Sequence, residues 1–205
     1  MGKLTANFFN EDYFTRGSEL GISAYDKHAF DLSNDIFIHQ ANMLIDILRL
    51  KERKLRVCEL GCALGNLVYH LRERDVEAFG EDISTYCWKN SHAPSYHHIG
   101  DAQEYVYTYN PDVIVSFHTF EHLLEPVKAI QNCHEALTDN GVFFAVIPSD
   151  GHEHDPSGVS MHDRDWWHAR LTENRFKERK DLHDKFFWHD LVKAYNWEVY
   201  CYEKC

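Results

Sequence analysis

The sequence predicts an α/β fold, a three-layer domain on a doubly wound, mostly parallel sheet, and two observations carry that reading. The first is the run Val57 to Leu67, Val-Cys-Glu-Leu-Gly-Cys-Ala-Leu-Gly-Asn-Leu. Its β-branched and apolar residues end in an acid, pass a turn held by Gly61 and Gly65, and enter an amphipathic stretch, which is the pattern of a strand, a tight turn and a helix. The second is the alternation of strand-like and helix-like segments that follows. Such alternation calls for right-handed crossovers and a sheet covered on both faces. At 205 residues the chain buries one good core and leaves no room for a second full domain.

The elements follow in order. From Asp35, the residues Ile36, Met43, Leu44, Ile47 and Leu48 recur at helical spacing and the stretch closes on Lys51-Glu52-Arg53-Lys54, so residues 1–54 read as an N-terminal helical cap. The core, 55–148, runs Leu55 to Leu60 strand, Asn66 to Arg74 helix, Val76 to Asp82 strand and Thr85 to Ser91 short helix. It continues with Tyr96 to Gly100 strand, Ala102 to Tyr107 helical turn, Asp112 to Phe117 strand, Pro126 to Leu137 helix and Gly141 to Ile147 strand. Proline suits a first helical turn, Val127, Ile130, Cys133 and Leu137 then share one side, and Asn140-Gly141 closes that helix. Residues 149–205 complete the same domain. Between Pro148 and Arg175, Gly151, Pro156 and Gly158 break the pattern among many His and Asp residues, which reads as a long functional loop. Phe186 to Tyr195 then reads as the last helix and Trp197 to Tyr202 as the last strand.

With 21 basic against 33 acidic residues the net charge is −12, which opposes close approach to nucleic acid. The dense basic runs, Lys51 to Arg56 and Arg175 to Lys180, both carry acids and read as a solvated helix face or a linker. The six cysteines form no Cys-x-x-Cys pair, which fits a reducing, cytoplasmic setting. No stretch has the apolar length of a membrane span, and Met1 to Asn10 lacks the apolar core of a signal peptide.

Ligands of an open parallel sheet bind outside the carboxyl ends of its strands, where Glu59, Glu81-Asp82, Asp101, Phe117-His118 and Glu121-His122 stand in series. Asp82 follows Glu59 at close to the ~20-residue spacing at which an acid on the second strand meets ribose hydroxyls. Asp101 is placed to accept from an exocyclic amine such as that of adenine. A dinucleotide fingerprint counted from Gly61 would need glycine where the chain has Ala63 and Asn66, and no Gly-Lys-Ser/Thr follows the turn. NAD, FAD and a P-loop are therefore disfavoured.

Taken in order, Glu-Leu-Gly-Cys-Ala-Leu-Gly, Gly80-Glu81-Asp82-Ile83-Ser84, Gly100-Asp101-Ala102, Asp112 to Leu123 and Leu137 to Pro148 resemble the motifs of class I S-adenosylmethionine-dependent methyltransferases. The resemblance covers about residues 55 to 148 and implies a Rossmann-like core that binds S-adenosylmethionine. It implies that Glu59, Gly61, Cys62 and Gly65 form the methionine end, that Asp82 holds the ribose and that Ile83 packs on adenine. Asp101 and Ala102 would meet the adenine edge, Phe117 and His118 would line the far side, and Tyr13-Phe14 would close over the cofactor. Two departures stand out. Ala63 replaces a usual glycine and is strained if its φ is positive. The strand from Trp197 is followed directly by Cys205, so the fold's last antiparallel strand is expected to be missing, shortened or supplied from elsewhere.

Fifteen histidines, nine of them between His118 and His189, make that stretch the place to look for a base or a metal ligand. His118-x-x-Glu121-His122 places three side chains within about one helical turn. His152-Glu153-His154-Asp155, His162, His168 and His183-Asp184 offer more. A hydrogen-bonded His122 and surface histidines are the bland alternative. The segment also resembles the Glu-x-x-Glu-His of small-RNA 3′-end 2′-O-methyltransferases and some ubiquinone-pathway O-methyltransferases, with His118 at the first glutamate. His183-Asp184-Lys185-Phe186-Phe187-Trp188 is similar to a later motif of the RNA enzymes with its first two residues exchanged. The resemblance thus implies a divalent metal held by His118, Glu121, His122 and His183, which would polarise an acceptor hydroxyl. Without a metal, His122 or His183 would serve as the base. Trp166, Trp167, Phe176, Phe186, Phe187 and Trp188 would pack as core or lid, or wall an acceptor site. The expected function is methyl transfer from S-adenosylmethionine to a small-molecule acceptor, oxygen before nitrogen or carbon. A metal-dependent RNA 2′-O-methyltransferase and a non-catalytic binding relative remain as alternatives.

Overall fold

A run of alternating faces along the strands explains how the chain folds. In a computed structural model that describes residues 5–106, 110–148 and 157–205, Val57, Val113, Val115, Phe144, Val146, Val199 and Cys201 enter one apolar cluster. Their strand neighbours Cys58, Leu60, Ile114, Phe143, Ala145, Tyr200 and Tyr202 enter a second cluster on the opposite face. Both faces are buried, so the strands carry no polar alternation, as a sheet between two helical layers requires.

The elements are α1 Glu11–Thr15, α2 Gly17–Leu20, α3 Asp35–Leu48, α4 Leu50–Arg53, β1 Val57–Leu60, α5 Asn66–Arg72, β2 Ala78–Asp82, α6 Thr85–Lys89, β3 His97–Ile99, β4 Val113–Phe117, α7 Pro126–Ala136, β5 Val142–Val146, α8 Arg164–Glu173, β6 Phe176–Glu178, α9 Lys180–Phe187, α10 Asp190–Ala194 and β7 Val199–Lys204. The sheet order is β3-β2-β1-β4-β5-β7-β6. The first five strands are parallel, and β7 runs antiparallel to both β5 and β6. Residues of α3, α5, α9 and α10 cover one face and those of α7 and α8 the other. The order reverses between β1 and β4, which places a crevice at the ends of those two strands.

Asn34 caps α3 by accepting from the Ile36 N–H, and Pro126 opens α7 at a position where no N–H is needed. No helix among the described residues is long and apolar enough to cross a membrane.

Several expectations need correction. The sheet has its seventh strand: the strand ending the chain is β7, and β6 at Phe176–Glu178 supplies the antiparallel partner within the basic run that reads as a helix face or linker. Three residues are too few to show a period, and only Phe176 of the three is buried. The loop from Pro148 to Arg175 contains α8, whose cap Asp163 accepts from the Trp166 N–H. Its core face is only Trp167 and Leu171, one turn apart, so its sequence shows little amphipathicity. The last helix is two helices, α9 beginning six residues earlier than Phe186 and ending before Trp188, and α10 capped by the His189 ring. His152-Glu153-His154-Asp155 lies outside the described residues.

Candidate active site

One cavity of about 630 Å³ opens over the carboxyl ends of the parallel strands. It lies within the roughly 300–1,000 Å³ of small-molecule sites. Its floor begins at β1. Glu59 is buried near the Val68 backbone N–H, and its Oε2 has no hydrogen-bond partner. Burial first, and the Asp82 carboxylate second, push its pKa up to about 8. The turn that follows uses left-handed backbone at Gly61 (φ 71°), Ala63 (φ 47°) and Gly65 (φ 77°). A Cβ at Gly61 would stand 2.1 Å from Thr119 Oγ1, so glycine is needed there for space as well as for φ. Ala63 does occupy the strained region, where a non-glycine residue costs about 1–2 kcal/mol.

What holds Ala63 there is Asp82. The Ala63 N–H donates to Asp82 Oδ2 at 2.8 Å and the Ser84 N–H to Oδ1 at 2.8 Å, so the acid at the end of β2 is fixed by backbone from two strands' turns. Burial raises the Asp82 pKa and these two donors oppose the rise. Each oxygen keeps a second lone pair for a ligand hydroxyl. Beyond β3, Asp101 Oδ1 accepts from the Gln103 N–H at 2.9 Å and its side-chain amide at 3.0 Å, and Asp101, Ala102 and Ile83 line the same cavity.

The other end is formed after β4. His118 also has a positive φ, 53°, and its N–H donates to the Val146 carbonyl, which turns the chain into a 3-10 turn at Phe120–His122. Backbone held in such a region is characteristic of functional sites. Glu121 is buried between two imidazoles, its Oε1 3.6 Å from His118 Nδ1 and 3.8 Å from His122 Nε2. His122 Nδ1 pairs with Ser157 Oγ at 3.0 Å, and that hydroxyl pairs with Tyr13 OH at 3.1 Å. Tyr13 and Phe14 of α1 belong to an aromatic cap that also includes Phe9, Tyr25 and Phe30. Trp197 forms the opposite wall, with Phe117 at 5.5 Å and His118 at 5.9 Å between ring centres.

The structure therefore brings Glu59, Gly61, Cys62, Asp82, Ile83, Asp101, Ala102, Phe117, His118, Glu121 and His122 to one cavity. Gly65 shapes the turn without lining it. His183 is elsewhere: its Nε2 pairs with Arg164 at 3.0 Å and its ring stacks on Phe187, so it does not join the other three metal candidates or serve this cavity as a base. Among the described residues no three His, Cys, Asp or Glu side chains converge as metal ligands. His162 stacks on Trp166, His168 pairs with Tyr202 OH, and His189 caps α10, all structural roles. The aromatics from Trp166 to Trp188 pack as core or face solvent and do not wall the cavity. Met161, Trp197 and Glu198 line it, and Ser157 bonds His122 at its edge, without having been singled out, since no periodicity or spacing links them to the strand ends.

Comparison with known proteins fits this geometry. The family model of a methyltransferase domain matches residues 37–202. No curated protein sequence gives a significant match. The fold resembles that of the PH0226 protein from Pyrococcus horikoshii OT3, with a TM-score of 0.62 and 16% identity over 87% of this chain and 95% of that one. It resembles geranyl diphosphate methyltransferase in complex with GPP and sinefungin, with a TM-score of 0.61 and 10% identity over 82% and 77%. It also resembles the [4+2]-cyclase SpnF, with a TM-score of 0.54 and 16% identity over 76% and 80%, so the fold by itself does not name a reaction. The family match, which spans both the strand-end acids and the segment after β4, makes this chain a member of the class I S-adenosylmethionine-dependent methyltransferases.

Proposed function

We propose that the chain binds S-adenosylmethionine across the ends of β1, β2 and β3 and directs its methyl group to a hydroxyl of a small molecule held under the aromatic cap. The observation that carries this reading is that one cavity runs from the strand-end acids to the Glu121 imidazole pair. The residues suit the cofactor: Glu59 offers an unpartnered buried carboxylate oxygen to an ammonium, Asp82 offers lone pairs to vicinal hydroxyls, and Asp101 offers them to an exocyclic amine. Aromatic rings and carboxylates suit a cationic sulfonium.

When bound, the cofactor supplies an electrophilic methyl group, so the protein has mainly to orient the acceptor and take its proton. His118 is placed for the second task. Glu121 stands by its Nδ1, no described group bonds its Nε2, and the ring lines the cavity. A buried carboxylate 3.6 Å from one imidazole nitrogen stabilises the imidazolium formed on proton transfer. His122, tied through Nδ1 to Ser157, positions Glu121 and the cap. Five buried cysteines, none in a disulfide, accord with a cytoplasmic setting.

The test is calorimetric titration with S-adenosylmethionine, followed by an acceptor screen that reads S-adenosylhomocysteine release with EDTA and with added Mg²⁺. Micromolar binding and release dependent on a hydroxyl acceptor are expected. Absence of binding overturns the cofactor reading, release only with nitrogen or carbon acceptors overturns the hydroxyl reading, and release only with Mg²⁺ replaces the histidine base by an ion.

A further inference from the structure

Resting on the reading of this cavity as a methyltransferase site, we infer that the acceptor carries an amine that is cationic at neutral pH on an apolar or aromatic body, and no phosphate or carboxylate. The charge of the cavity wall carries the argument. Glu59, Glu81, Asp82, Asp101, Glu121 and Glu198 line it, and among the described residues no lysine or arginine does. A phosphate or carboxylate entering such a site would lose its water and gain no cationic partner, a cost borne only when an Arg or Lys answers it. The contrast with two proteins of the same fold is chemical: geranyl diphosphate methyltransferase is in complex with GPP, and a methyltransferase from Haemonchus contortus with phosphomonomethylethanolamine, both phosphorylated.

The positive side of the inference lies at the start of β7. Glu198 lines the cavity and its carboxylate makes no hydrogen bond or ion pair with a described side chain, while its Oε2 is buried without a partner. Directly before it in the chain, Trp197 lines the same wall, and Tyr195 stacks on that indole with 5.3 Å between centres. Carboxylates and an indole lining one cavity can take an organic ammonium by charge and by a ring face. The strand-end acids serve the cofactor, and Glu121 stands by its two histidines through Oε1 while its Oε2 is also unpartnered, so Glu121 and Glu198 are the acids that face the acceptor. The whole chain, at −12, draws cations toward the site as well.

The experiment uses three ligands with one phenolic body and different ends: tyramine, tyrosol and 4-hydroxyphenylacetate. Each is titrated by calorimetry into protein saturated with S-adenosylhomocysteine, and each is assayed for methylation with S-adenosylmethionine. Tyramine is expected to bind and react at least about tenfold better than the carboxylate, with tyrosol between, the factor expected of a partly desolvated ammonium on a ring face and a carboxylate. Glu198→Gln is expected to shrink that preference to within about threefold while S-adenosylhomocysteine affinity stays as in the wild type, which also shows that the variant is folded. Preference for the carboxylate, equal binding of all three, no binding of tyramine, or an unchanged preference in Glu198→Gln overturns the inference. Failure to bind S-adenosylhomocysteine at all overturns the methyltransferase reading beneath it, and the two failures are thereby told apart.

Discussion

At the end of the cavity proposed for the cofactor the backbone makes the site: left-handed residues Gly61, Ala63 and Gly65 shape the turn, and Asp82 is held by the Ala63 and Ser84 amides. At the acceptor end side chains make it, drawn from α1, the turn after β4, Ser157 and the approach to β7, and joined through Tyr13, Ser157, His122 and Glu121. The first end depends on local stretches of chain whose register the sheet dictates. The second depends on segments far apart in sequence meeting over the crevice. The difference teaches that binding of the cofactor and choice of acceptor are separable by mutation.

The largest expected effect tests that separation directly. His118→Gln should lower kcat for a hydroxyl acceptor by about 10²–10⁴, the usual worth of a general base, and leave S-adenosylmethionine affinity within about threefold. A loss of affinity equal to the loss of kcat would show that the two ends are one unit. Asp82→Asn should act the other way. Removing the charge that two backbone amides hold, and that the proposed site offers to two hydroxyls, should weaken S-adenosylmethionine binding by about 10–100-fold in calorimetry. An affinity unchanged within experimental scatter would remove Asp82 from the ribose site.

Glu59 offers a smaller effect that needs no acceptor. In the folded, unliganded protein it keeps its proton up to about pH 8, against an ordinary value of 4.5. The folded state therefore binds more protons than the unfolded one between those values, and stability should fall as pH rises through that window, with a limiting slope of about 1.4 kcal/mol per pH unit. Between pH 6 and pH 8 the wild-type Tm should drop more than that of Glu59→Gln; parallel curves would mean that the carboxyl is not held protonated. The smallest effect is Ala63→Gly, which relieves left-handed strain and loosens the unfolded chain, for a net gain of about 1 kcal/mol or less by denaturant unfolding. A destabilised variant would show that the alanine methyl packs usefully in the turn.

What was legible in the sequence follows the same division. The β1 turn, the spacing to Asp82 and the acids at successive strand ends could be read because a tight turn or a strand end leaves its mark within a few residues. Even the doubt about Ala63 was visible, and its φ of 47° bears it out. The aromatic cap was mostly hidden, since Phe9, Tyr25 and Phe30 follow no period and meet the crevice only after folding. Trp197 and Glu198 were hidden in the same way, because the only local signal they give is that of a strand. The strand β6 and the helix α8 escaped because one is three residues long and the other buries only Trp167 and Leu171. His183 misled through a motif-like neighbourhood, when its ring is committed to Arg164.

The contact between Tyr13 and Ser157 has a consequence for the acceptor end. It is the latch between the roof of the cavity and the residue that bonds His122. Through that one hydroxyl the aromatic roof and the imidazole beside Glu121 share a partner, so a change of packing under Tyr13 is felt at His122 without touching the strand-end acids.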